Sequence, residues 1–135
     1  MAWEEQQTFN RISCPCNGTN SLATKQFCAV TIGSGGVMDV ATAAKGCTGI
    51  LQDNPAVNVV GTIARDGISK AAIALSQTLV GGVTLLEVAG SSGFLCAHTS
   101  GVVVARAMEN VTSTAAVVYS TVEILRNAPT GTAFS

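Results

Sequence analysis

A chain of 135 residues is long enough for one domain with a modest core, and its net charge of −1 leaves no basic footprint for nucleic acid or an anionic membrane. Only 11 % of residues are charged, against roughly 25 % in an ordinary soluble domain, and the mean hydropathy is +0.43. So few charges cannot easily cover a solitary small domain: either much of the surface is buried against copies of the chain or a partner, or the chain is poorly soluble alone, and this points to an assembly component.

Residues 1–24 differ from the rest. They hold the single Trp, paired glutamates at Glu4 and Glu5, and a turn-rich stretch from Cys14 to Ser21 in which Pro15 blocks a helix and Asn17-Gly18 favours a turn. This segment reads as an extended N-terminal arm, with a disordered tail as the alternative; in the arm reading Trp3 and Phe9 are the residues that anchor it in an apolar pocket of a neighbour. Residues 25–135 read as a β-rich head. Strands are predicted at 26–32, 58–64, 68–75, 84–88, 94–97, 102–108 and 116–125. The separators carry turn chemistry: Gly33-Ser34-Gly35-Gly36, Asp53-Asn54-Pro55, Asp66-Gly67, Gly81-Gly82 and Ala89-Gly90-Ser91-Ser92-Gly93. Alternation in the last strand places Val118, Val122 and Ile124 on one face and Tyr119, Thr121 and Glu123 on the other. Residues 37–45 allow one short helix, because Ala-Thr-Ala-Ala-Lys favours it and Gly46 would stop it. The expected fold class is all-β, a small β-barrel or β-sandwich head.

The apolar stretches do not form a membrane span. Residues 71–86 and 88–105 are interrupted by Gly, Ser, Thr and Gln, short of the roughly 20 apolar residues a spanning helix needs. The acidic, polar N-terminus is unlike a signal peptide, so the expected site of synthesis is the cytoplasm. Five cysteines without a secretion signal are expected as reduced thiols, not disulfides.

The candidate chemical motifs are weak. The loop from Gly33 to Gly36 is followed by Val37 and Met38 where a phosphate cradle would need Lys, so it reads as an inter-strand turn. Cys14 and Cys16, with Cys28 and Cys47, offer four thiols for zinc, but zinc modules use two closely spaced pairs and this chain has one pair and two singletons. Cys96 and His98 share strand parity, yet no carboxylate lies near them in sequence to orient the imidazole. The carboxylates after Glu5 are scattered, and the cations form no basic stripe. The expectation is therefore a non-enzyme with no catalytic residues, no metal and no cofactor.

One resemblance runs from residue 41 to residue 125. Gly49-Ile50-Leu51-Gln52-Asp53-Asn54-Pro55, within residues 43–55, resembles the "G-x-LQ-x-x-P" segment of the capsid decoration (cement) proteins of tailed phages. Gly67-Ile68-Ser69-Lys70, within residues 60–74, is similar to that family's strand pair around a Gly-Ile/Val-Ser/Thr-Lys core. Residues 102–111 followed by 117–125 are similar to its closing hairpin. The chain departs from the pattern at Gly81-Gly82-Val83-Thr84, where the family commonly has a Gly-Asp turn, and in its N-terminal extension. The resemblance implies a β-rich head, usually a homotrimer, on the outer capsid surface of a virion assembled in the host cytoplasm. There it would bind the major capsid protein and staple adjacent capsomers. A β-sandwich host-recognition module of a fibre, spike or cell-surface protein is the alternative in a different class.

Overall fold

The computed structural model describes residues 11–33, 35–43 and 45–125. Over these residues the chain is all-β, and it folds into two units that share a wall. Strands β1 (Arg11–Pro15), β2 (Ala29–Ile32), β3 (Met38–Val40), β4 (Gly49–Leu51) and β5 (Val60–Ala64) form an antiparallel sheet in the order β1-β5-β4-β2-β3. The two edges of this sheet meet: Cys16 bridges Met38 in parallel, and the Asn17 N–H donates to the Met38 carbonyl at 3.2 Å. This contact curls the sheet around its own interior and covers backbone that would otherwise be an open edge.

The second unit is a closed barrel. Its strands are β6 (Gly67–Ile73), β8 (Leu85–Ala89), β9 (Phe94–Ala97), β10 (Ala105–Ala107) and β12 (Val118–Ile124), in the order β10-β12-β6-β9-β8. All pairings are antiparallel except β6 with β9, where Ile73 faces Leu95 in parallel. The short strands β7 (Thr78–Leu79) and β11 (Val111–Thr112) form a separate antiparallel pair.

Side-chain alternation explains both cores. Along β12, Ser120, Val122 and Ile124 are buried while Tyr119 is exposed. The larger core joins the barrel residues Ile73, Leu86, Val88, Leu95 and Val122 to Ala29, Ile50 and Ala64 from the curled sheet. The smaller core holds Cys14, Cys16, Leu22, Val30, Met38, Leu51 and Ile63. Neighbours in sequence therefore enter different cores: Ala29 against Val30, Ile50 against Leu51, Ala64 against Ile63. Strands buried on both faces need apolar residues at consecutive positions, which is why β4 reads Gly-Ile-Leu without alternation.

Two glycines permit this close fit. A Cβ on Gly49 would overlap the Ala64 carbonyl oxygen of β5. Gly93 has φ +78°, and its carbonyl accepts from the Ala29 N–H at 2.7 Å, tying the β8–β9 turn to β2. Phe27 also has a left-handed backbone, at φ 69°, and is not glycine. Its N–H donates to the Leu51 carbonyl at 2.7 Å and its carbonyl accepts from Ala72 at 2.9 Å, so both units hold it there. For a bulky residue that conformation costs about 1–3 kcal/mol.

The expected helix over residues 37–45 is not formed, and no described residue is helical. Met38, Asp39 and Val40 pair with Ile32, Thr31 and Val30, and Met38 is fully buried in the smaller core. Burial of Met38 and the β-forming valine outweigh the local preference of the alanines. Residues 11–24, grouped with an arm in the sequence reading, contribute β1 and three buried side chains, Cys14, Cys16 and Leu22.

Candidate interaction surfaces

Trp3 and Phe9 lie outside the described residues. Among the described residues, the large apolar side chains left in solvent fall into three places, with Leu75 apart from them just past the end of β6. Val57 and Val59 lie on the loop entering β5, and Val60, the first residue of β5, is 59 % exposed. Val80, Val83 and Met108 meet where the 80–84 turn rests on the end of β10, with the Gly82 N–H on the Ala107 carbonyl at 2.7 Å; Val83 is 70 % exposed. Ile68 and Tyr119 stand on the outer face of β6 and β12.

A groove of about 350 Å³ runs between the two units. Its walls include Ile12, Ile32, Val102, Val104 and Ile124, with Arg65 as its cation. Burial pushes the Cys47 thiol in its wall up to about 12, against an opposing backbone hydrogen bond at Gly49, which keeps the sulfur protonated. A second cleft of about 360 Å³ lies beside Phe27 and Tyr119, with Thr24, Gln26, Asn54 and Lys70 in its walls.

The cysteines are dispersed. Cys14 and Cys16 point into the smaller core, where their thiols donate to the carbonyls of Gly36 (3.3 Å) and Asn20 (3.2 Å). Burial, with the neighbouring Cys16, raises the Cys14 thiol above its ordinary value; burial also raises Cys28 despite nearby Lys25. All five cysteines are free, and no group of three metal-ligating side chains occurs among the described residues.

His98 has a partner that sequence did not reveal. Glu87 on β8 faces Cys96 across the β8–β9 ladder, and its carboxylate lies 3.0 Å from His98 Nδ1. The same carboxylate accepts the Thr99 N–H at 2.8 Å and the Gly101 N–H at 2.9 Å. Burial works against ionisation of Glu87, but the Thr99 and Gly101 amides, followed by His98, outweigh it and hold the carboxyl below its usual value. Burial and the Glu87 charge raise the Cys96 thiol, the wrong direction for a nucleophile. The arrangement pins the 98–101 turn.

No family model matches the chain, and no curated protein matches it. The folded body is an all-β scaffold whose distinguishing surfaces are apolar loops and two clefts. Among solved structures it is similar to the head fiber N base of bacteriophage phi29, with a TM-score of 0.57 at 12 % sequence identity. The match covers 90 % of this chain and 99 % of that chain.

Proposed function

We propose that this protein is a structural component of a phage virion, and that it binds the outer capsid surface and stabilises contacts between capsomers. The observation that carries the reading is the fold likeness to a phage head fiber base over 99 % of that chain. The charge-poor composition supports it, as do the exposed valines on two loops, which are suited to burial against a larger partner. In this reading the partner is the major capsid protein, the chain acts as a homotrimer, and Trp3 and Phe9 supply the first aromatic anchors. Area buried across several capsid subunits provides the affinity, about 25 cal/mol per Å² before ordering costs, and repetition over a symmetric shell adds avidity.

The test is binding to expanded and unexpanded capsids purified without the protein. Saturable occupancy of the expanded shell, with a higher disruption temperature, is expected. A chain that stays monomeric and leaves both shells bare would overturn the reading.

A further inference from the structure

We propose that the cleft beside Phe27 and Tyr119 is a saccharide-binding site that favours a sugar carrying a carboxylate. The site goes beyond a capsid-clamping role and does not depend on it. Tyr119 is 59 % exposed, and Phe27 meets it edge-to-face with ring centroids 6.0 Å apart, so the cleft has an aromatic surface fixed in orientation. A pyranose ring presents a face of C–H groups to such a surface and hydroxyls at its rim, and Tyr offers an apolar body with a polar tip to match.

The rim of the cleft is polar and held in place. The Gln26 N–H donates to Asn54 Oδ1 at 3.0 Å, and Gln26 Nε2 donates to the Gln52 carbonyl at 2.9 Å. Asn54 Nδ2 lies 3.4 Å from Gln26 Oε1. Each primary amide has two N–H bonds and two acceptor lone pairs, so both retain capacity for hydroxyls after these contacts. Thr24 adds a hydroxyl to the same wall, and Lys70 adds a cation, whose charge also acts on the Glu109 carboxylate. An aromatic floor, paired amides and one cation are the complement of an acidic sugar, and about 360 Å³ lies within the range of about 300–1,000 Å³ for small-ligand clefts.

The backbone points to the same place. Phe27 is held at φ 69° by hydrogen bonds to both structural units, and it sits in the cleft wall. Strain that the surrounding structure maintains in a bulky residue clusters at binding sites, where it fixes a side chain in a position relaxed backbone would not give.

The test uses the full chain in calorimetric titrations with two probes, oligogalacturonate and neutral maltohexaose. Oligogalacturonate is expected to bind more tightly. Tyr119→Ala should weaken it about tenfold, with an unchanged melting temperature, while Tyr119→Phe retains binding. Lys70→Gln should remove the preference for the acidic probe, and Gln26→Ala should weaken both probes. No heat with either probe, or binding indifferent to Tyr119→Ala, would overturn the site; equal binding of the two probes would overturn its acidic preference. Capsid occupancy is read in a separate experiment, so failure here is distinct from failure of the shell-binding role.

Discussion

Glu87 shows how one carboxylate can organise a turn. Its oxygens take two backbone N–H groups, from Thr99 and Gly101, and the His98 ring, while its side chain is only 8 % exposed. Replacing it by Gln keeps the shape but turns an acceptor into an amide that faces backbone donors. Glu87→Gln should therefore cost about 1–3 kcal/mol in denaturant unfolding. Because the folded carboxyl is held below its ordinary value of 4.5, its stabilisation is present above that value and is lost as pH falls through the lower folded one. The acid limb of the stability–pH curve should shift in Glu87→Gln. An identical limb in both proteins would remove this account. His98→Ala should cost less, about 0–1 kcal/mol, since the ring is one-third exposed. Sequence parity brought Cys96 and His98 together, but the Glu87 partner comes from cross-strand register, which a single sequence does not display.

At the scale of elements, the seven strands predicted from turn punctuation and β-branched runs all have observed counterparts, from β2 to β12. The missed strands have physical reasons. Strands β7 and β11 are two residues each, and β4 is three residues buried on both faces, so none has room to show a period. Strand β3 was hidden because its pairing depends on Met38 reaching the smaller core. Met38→Ala should accordingly destabilise the protein by about 2–5 kcal/mol, measured by urea unfolding. If the cost were within about 0.5 kcal/mol, as for a surface position, the smaller core would not depend on β3. Strand β1 is built in similarly: it pairs with β5 over five residues, and Cys14, Cys16 and Leu22 lie within the smaller core. Deleting residues 1–24 removes that wall and should abolish cooperative unfolding, whereas deleting residues 1–10 should preserve it. The shorter deletion is thus the proper probe of Trp3 and Phe9 on a capsid.

The molecule carries few charges, and its described residues present apolar patches around Val60 and around Val83. The fold class was legible because alternation and turn residues are local signals. The surfaces were not, because the exposed valines look in sequence like core valines until topology places them on loops or, for Val60, at the outer end of a strand. This distinction supports a test of the shell-binding reading that separates folding from assembly. Val60 and Val83 are largely solvent-exposed, so Val60→Asp and Val83→Asp should each change stability by no more than about 0.5 kcal/mol. On a surface that docks to a partner, the same Asp must leave water without a counter-charge, which costs several kcal/mol for a fully buried ion. At least one of the two variants should therefore lose most of its capsid occupancy while melting like the parent. Full occupancy for both would place the contact elsewhere and leave the apolar patches without the role argued for them.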